Sequence, residues 1–111
     1  MKINFSQFTE FEKKVFKITQ RIPKGQVATY GQIARIMGNK YYARAVGNAL
    51  NKNAYPITIP CHRVIKSNGE IGGFASGSEK KIELLKMENI PIKDNLINLS
   101  KYLVSDEVLE S

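Results

Sequence analysis

The chain has one cysteine, one histidine and no tryptophan among its 111 residues. A lone thiol cannot close an intramolecular disulfide, and one cysteine with one histidine falls short of the ligand set of a structural zinc site, so no metal is expected. No apolar run reaches the roughly 20 residues that span a bilayer as a helix, so no membrane partner is expected. The opening Met1-Lys2-Ile3-Asn4-Phe5 lacks a signal peptide's continuous apolar stretch. A reducing cytoplasm, where a free thiol persists, is the expected compartment. The most informative absence is of negative charge: Lys13 to Lys66 holds 11 Lys or Arg residues and no Asp or Glu.

From Ala75 onward the balance reverses, with 5 basic and 7 acidic residues, and the whole chain carries +7. A segment of one sign creates a directed positive field suited to a polyanion, of which nucleic acid is the commonest, although a solvated basic surface without a partner has the same composition. The length suits one domain, residues 1–111, with a single modest core and a tail from about 92 that resists assignment.

Apolar spacing predicts an amphipathic helix from Ser6 to Arg21, with Phe8, Phe11, Val15, Ile18 and Ile22 inward and Lys13, Lys14 and Lys17 in water. Ser6 or Thr9 is placed to cap it, and Pro23-Lys24-Gly25 breaks it. Thr29 is a candidate N-cap for a second helix, Tyr30 to Met37, which Gly38-Asn39-Lys40 ends. A third helix runs from about Tyr42 to Asn51, with Ala45, Val46, Ala49 and Leu50 inward and Arg44, Gly47, Asn48 and Asn51 outward. Two short helices about a glycine turn, the second basic, fit a helix-turn-helix, though many helical hairpins share the pattern. Beyond Asn53 the prolines predict an extended segment, Tyr55 to Pro60. Ser67-Asn68-Gly69 predicts a hairpin turn between Arg63–Lys66 and Glu70-Ile71. A glycine-rich loop precedes a last helix from about Ser78, itself a possible cap, to Asn89, with Ile82 and Leu85 inward. The fold class expected is α+β, helix-rich, a winged helix-turn-helix bundle with a short β-hairpin.

Cys61 lies in Ile59-Pro60-Cys61-His62-Arg63-Val64, beside the only histidine. Either it is a reactive thiolate, favoured by His62 and the charge of Arg63, or a buried apolar thiol next to a surface histidine. A sequence neighbour reaches the sulfur only through a bent backbone or a bridging water. Glu88 falls four residues after Leu84 and three after Leu85, on the inward side of the last helix, where a carboxylate needs a partner unless the helix end frays into solvent. An imidazole next to a nucleophile is such a partner.

Ile22-Pro23-Lys24-Gly25, Thr29-Tyr30-Gly31-Gln32-Ile33-Ala34, Ala43-Arg44-Ala45-Val46-Gly47 and, above all, Asn53 to Val64 with its Pro-Cys-His-Arg core resemble the DNA-binding domain of O6-alkylguanine-DNA alkyltransferases, from about Phe11 to Glu88. The resemblance implies irreversible transfer of an alkyl group from guanine O6 to Cys61, once per molecule and without a cofactor. His62 matches the residue that deprotonates the thiol through a water, and Glu88 the carboxylate bound to that histidine. Asn53 matches the asparagine that orders the loop. Tyr30 matches the tyrosine that donates to the flipped guanine, and Arg44 the arginine that fills the gap left in the duplex. The carbonyls of Cys61 and Val64 match those that accept from the guanine N–H groups.

The resemblance further implies DNA contacts from Tyr30, Ala43, Arg44, Gly47, Asn48, Asn51 and Ser67, and a base pocket of Tyr30, Cys61, Val64, Phe74, Ala75 and Ser76. The partner it implies is double-stranded DNA containing O6-alkylguanine, met by a monomer in the cytoplasm, the nucleoid or a nucleus. Extrusion of a base buried in the duplex, costing a few kcal/mol, gives these roles a physical motive. The chain departs from the family's pattern in having Phe74 and Ala75 where tyrosine and serine are usual, and in beginning just before the DNA-binding domain, without the N-terminal domain of many members. Rival readings are a non-catalytic damage sensor of the alkyltransferase-like type, which usually has tryptophan at the cysteine position, a helix-turn-helix transcription regulator, and a cysteine hydrolase.

Overall fold

Helix α1, Glu10–Thr19, begins where Thr9 closes a capping box: its hydroxyl accepts from the Glu12 N–H at 3.1 Å, and the Glu12 carboxylate accepts from the Thr9 N–H at 2.9 Å. The start is therefore Thr9 and not Ser6, whose hydroxyl donates to Asn4 Oδ1 at 2.7 Å. The helix also stops earlier than its apolar spacing suggests, because Ile22 precedes proline and is disfavoured from helical geometry. Val15, Ile18 and Ile22 are buried as expected. Phe16, outside the expected stripe, is fully buried with Phe8 edge-on at 4.8 Å.

The coordinates form a computed structural model that describes residues 4–55, 57–73 and 77–111. Phe74, Ala75 and Ser76 lie outside the described residues, as does Pro56.

Strand β1, Ala28–Thr29, runs directly into helix α2, Tyr30–Ile36. Thr29 caps α2 with Gln32 in a second capping box, at 3.0 and 3.3 Å. Gly38, at φ +106°, ends it in a conformation open to glycine. A 3-10 turn, Lys40–Tyr42, then leads into helix α3, Ala43–Asn51. These two helices form the expected helix-turn-helix. Val46, Ala49 and Leu50 are buried, but Ala45 is exposed: one residue is a rotation of about 100°, which carries it from the inner face to the rim.

The expected hairpin forms only at its turn. The Gly69 N–H donates to the Lys66 carbonyl and the Lys66 N–H to the Glu70 carbonyl, both at 2.9 Å, with Gly69 at φ +92°. This is the bonding of a three-residue hairpin loop. The flanking strand β2, Val64–Ile65, nevertheless pairs in parallel with β1, Ala28 opposite Val64 and Thr29 opposite Ile65. Glu70 instead bridges Leu96 of the tail. Tyr55 to Pro60 is not extended either: the Ile59 N–H closes on the Tyr55 carbonyl at 2.9 Å, and Ile57 takes φ +75°.

Helix α4, Ser78–Met87, is capped by Gly77, so Ser78 is its first helical residue and not its cap. The tail forms α5, Leu99–Tyr102, and α6, Asp106–Glu110. It is built into the molecule. Val27 exchanges backbone bonds with Tyr102 and Val104 at 2.9 and 2.8 Å, and the Gln32 amide donates to the Val104 carbonyl at 2.8 Å and to Asp106 at 2.9 Å. Val104 and Leu109 enter the main core, among α1, α2 and α3. A second cluster, Val27, Ile65, Ile71, Leu85, Ile90 and Ile97, fills the space under the sheet. Among the described residues no helix is long and apolar enough to cross a membrane.

Leu109 of α6 is fully buried, so Leu109→Ala tests whether the tail bears on the core. The expected loss is about 2–5 kcal/mol in urea unfolding, and an unchanged midpoint would mean that the tail only rests on the surface.

Candidate active site and nucleic-acid interface

Pro60 shapes the turn that carries the thiol. At φ −79°, ψ 64° it is the centre of an inverse γ-turn closed by the Cys61 N–H on the Ile59 carbonyl at 2.7 Å. Cys61, His62 and Arg63 follow as one 3-10 turn that feeds β2. Asn53 binds the same loop from α3's side: its amide donates to the Ile59 carbonyl at 2.9 Å and to Cys61 Sγ at 3.3 Å, and its Oδ1 accepts from the Tyr55 N–H at 2.7 Å. Cys61 is 6 % exposed and belongs to the main core. Burial pushes its thiol above the ordinary range, and the opposing pull of the Asn53 hydrogen bond and of the Lys81 charge is weaker.

His62 Nε2 lies 2.8 Å from Glu88 Oε2. Arg63 grips the same carboxylate bidentately, Nε to Oε1 at 2.9 Å and Nη2 to Oε2 at 2.8 Å, and its Nη1 donates to the Ile22 carbonyl at 2.8 Å. Burial raises the Glu88 carboxyl, but hydrogen bonds from Arg63 and then His62 prevail and hold it below its usual value. Burial likewise lowers His62 despite the Glu88 hydrogen bond. A neutral ring facing a carboxylate must carry its proton on Nε2, which leaves Nδ1 a bare acceptor. That buried Nδ1 has no hydrogen-bond partner among the described residues.

Lys81, from the first turns of α4, is fully buried. Its ammonium donates to the carbonyls of Val64 at 2.7 Å and Gly73 at 3.0 Å, and stands 3.5 Å from the Tyr30 hydroxyl. Burial lowers it to about 8, with the nearby Cys61 pulling the other way. Burial and the Cys61 charge both raise the Tyr30 phenol, so it remains a proton donor at neutral pH.

Tyr30 opens onto a cleft of about 450 Å³ whose walls include Ala43, Arg44 and Gly47 of α3, Ser67 of the hairpin loop, and Gly72 and Gly73. A Cβ at Gly47 would sit 3.9 Å from the Tyr30 ring, and one at Gly31 2.8 Å from Ser67 Oγ, so the loop packs closely on the start of α2 and a side chain at Gly31 would turn the Ser67 hydroxyl aside. Asn48 and Asn51 are exposed on α3 without lining this cleft, and Cys61 does not line it either. The carbonyls of Cys61 and Val64 already accept from the Val64 N–H and from Lys81 respectively.

The structure thus gathers Cys61, Asn53, His62 and Glu88 about the cysteine turn, and Tyr30, Arg44, Ala43, Gly47 and Ser67 about the cleft, with Lys81 bonded to Val64 after that turn and close to the Tyr30 hydroxyl. Sequence reasoning passed over Lys81, although Lys81, Leu84, Leu85 and Glu88 share the spacing that singled out Glu88. Arg63, expected to add charge near the thiol, is instead committed to Glu88. Among the described residues no three His, Cys, Asp or Glu side chains gather as metal ligands.

A helix-turn-helix that turns an arginine toward a cleft, backed by a thiol beside a histidine–carboxylate pair, has the architecture of a DNA alkyltransferase domain. The family model for the 6-O-methylguanine DNA methyltransferase, DNA binding domain, matches residues 10–90, and the chain belongs to this family. It is 50 % identical over 80 residues to a methylated-DNA–protein-cysteine methyltransferase of Methanosarcina acetivorans, which covers 72 % of this chain and 51 % of that one. It is 43 % identical over 89 residues to the one of Thermococcus kodakarensis, at 79 % and 49 % coverage. The chain spans about half the length of the curated relatives it matches. Two solved structures share the fold. The DNA complex of Mycobacterium tuberculosis OGT has TM-score 0.72 and 40 % identity, covering 74 % of this chain and 50 % of that one. S. pombe Atl1 with damaged DNA containing O6-carboxymethylguanine has TM-score 0.79 and 33 % identity, covering 95 % and 99 %.

With the thiol raised by burial, alkylation of Cys61 by iodoacetamide should be slow at neutral pH, with its midpoint above the ordinary value of about 8.5. Lys81→Met removes the neighbouring cation and should move the midpoint higher still. A midpoint unchanged by Lys81→Met would show that the ammonium does not act on the sulfur.

Proposed function

We propose that this chain repairs O6-alkylguanine in duplex DNA by transferring the alkyl group to Cys61, once per molecule. The observation that carries the reading is the His62–Glu88 pair, hydrogen-bonded at 2.8 Å, one residue from a thiol that accepts from Asn53. The names of the relatives, half of whose length this chain spans, agree with it. In the step itself the thiol gives its proton to His62 Nδ1 through a water, since that atom is a free acceptor. The thiolate attacks the alkyl carbon. The S–C bond forms as the C–O6 bond breaks, the electron pair leaves with the guanine, and the base takes up a proton at N1. Glu88 holds the imidazole in the tautomer with an open Nδ1 and stabilises it once charged. Asn53 and Lys81 favour the developing thiolate, and Tyr30 donates to the departing base. Lys81 acts mainly as a positioning residue, tying α4 to the carbonyls of Val64 and Gly73.

The cleft suits the approach of the extruded nucleotide. Ala43 and Gly47 allow the helix backbone to come close to DNA, and Arg44 compensates the stack for the lost base. The acid-free segment supplies grip without sequence preference, as a search over all DNA requires.

One observation favours a second reading, damage recognition without transfer: the match to Atl1 extends over 99 % of that protein. Intact mass decides between the two. After incubation with a duplex containing O6-methylguanine, the protein should gain one methyl group, located on Cys61, and Cys61→Ser should abolish the gain while retaining DNA affinity. DNA binding without any gain in mass would establish the sensor reading. Arg44→Ala should slow the duplex reaction about tenfold for each 1.4 kcal/mol of extrusion cost left uncompensated. Its effect on transfer from free O6-methylguanine base should be much smaller, and equal losses would remove Arg44 from base extrusion.

A further inference from the structure

Among the large apolar and aromatic side chains of the described residues, Tyr41 is the most exposed, at 80 %. A lone exposed apolar residue is ordinary in itself. The backbone that carries Tyr41, however, is held in place. Asn39 Oδ1 accepts from its N–H at 2.9 Å, and the Asn39 carbonyl accepts from the Tyr42 N–H at 3.0 Å, which fixes the 3-10 turn between α2 and α3. Tyr42 then anchors the turn, its ring edge-on to Phe11 at 5.6 Å and 89°. One tyrosine is spent on the protein and its neighbour is presented to solvent. The Lys40 ammonium stands 5.3 Å from the centre of the Tyr41 ring.

The turn enters α3 immediately before Ala43 and Arg44, both on the wall of the cleft. It also lies within the stretch from Lys13 to Lys66 that has no acidic residue. An exposed aromatic ring with a cation beside it, on a hydrogen-bonded turn continuous with a basic helix, matches the chemistry of nucleotides: a flat face for sugar and base, and a charge for phosphate.

We propose that Tyr41 and Lys40 form a further DNA contact, the Tyr41 ring packing on the deoxyribose and base edges next to the nucleotide that Arg44 displaces, and Lys40 meeting a phosphate. The pair positions the duplex for extrusion. The contact rests on the repair reading for its place beside Arg44, but its affinity can be measured without any transfer. Because one partner is neutral and the other charged, salt separates them.

The test is fluorescence anisotropy of wild type, Tyr41→Ala, Tyr41→Phe and Lys40→Ala on a labelled duplex at several salt concentrations, together with transfer from free O6-methylguanine base. Tyr41→Ala should weaken binding by about fivefold or more, the lower end for one aromatic–nucleotide contact, with the slope of log affinity against log salt unchanged. Tyr41→Phe should stay within about twofold of wild type, because the ring is what packs. Lys40→Ala should reduce the slope by about 0.9, the value for one phosphate contact. Wild-type affinity in Tyr41→Ala overturns the proposal, as does a loss in that variant matched by an equal loss of transfer from the free base. If Tyr41→Ala weakens DNA binding while wild type never gains a methyl group, the contact stands and the repair reading falls.

Discussion

A single buried carboxylate organises the chemical half of this molecule. Glu88 caps the C-terminal end of α4, where the helix dipole is unfavourable to an anion, and its side chain is only 9 % exposed. Such a charge persists only if it is met by donors. Arg63 supplies two and His62 a third, and both come from the turn that bears Cys61. The remaining guanidinium nitrogen reaches Ile22, beyond the end of α1. One anion therefore ties α4, the cysteine turn and the segment after α1 together. Removal of its charge would loosen all three and release the imidazole from its tautomer.

A second buried charge, Lys81, opposes the first in sign and differs in effect. Glu88 is held below its usual value by strong partners, whereas burial lowers Lys81 to about 8 and the nearby Cys61 offsets it only in part. The ammonium is thus only moderately committed to its charge, and the thiol beside it is raised into its neutral form. This is unlike a cysteine kept as a standing thiolate by a cationic environment. A buried neutral thiol is slow to meet stray electrophiles and oxidants. Under the repair proposal, in which Cys61 would be consumed in one reaction, that protection matters as much as reactivity, and it fits activation by a base at the moment of transfer.

Much of this was legible from sequence where local chemistry decides structure. Thr29 and Gln32 form a capping box whatever lies around them, and Gly38 ends a helix for reasons of its own backbone. The spacing of Leu84, Leu85 and Glu88 sufficed to bring a carboxylate inward. What could not be read depends on partners distant in the chain. Two-residue strands carry no periodicity, so nothing local distinguishes a hairpin partner at Glu70 from the parallel partner at Ala28. Proline fixes its own φ but not the path between prolines, which here turns through Ile57 at φ +75°. Lys81 passes for a solvated helix lysine until the carbonyls of Val64 and Gly73 are seen to enclose it. Cys61 and His62 announced themselves by scarcity, and the fold places His62 Nε2 2.8 Å from Glu88, the partner expected for it.

The short parallel ladder explains how grip and chemistry are joined. Ala28 and Thr29 pair with Val64 and Ile65, so the chain leaves β1 at the start of α2 just where the other strand emerges from the cysteine turn. Tyr30 stands at that junction. It is the first residue of α2, it packs toward Gly47 of α3 on the cleft wall, and its hydroxyl and ring both meet the Lys81 ammonium. A displacement of the helix-turn-helix by bound DNA would reach Tyr30 first and, through Lys81, the carbonyl of Val64 and the field at Cys61. The two residue pairs of this ladder therefore set how the cleft beside Tyr30 stands relative to the cysteine turn. Their register, more than any side chain, sets Tyr30 at the junction of the two strands with α2.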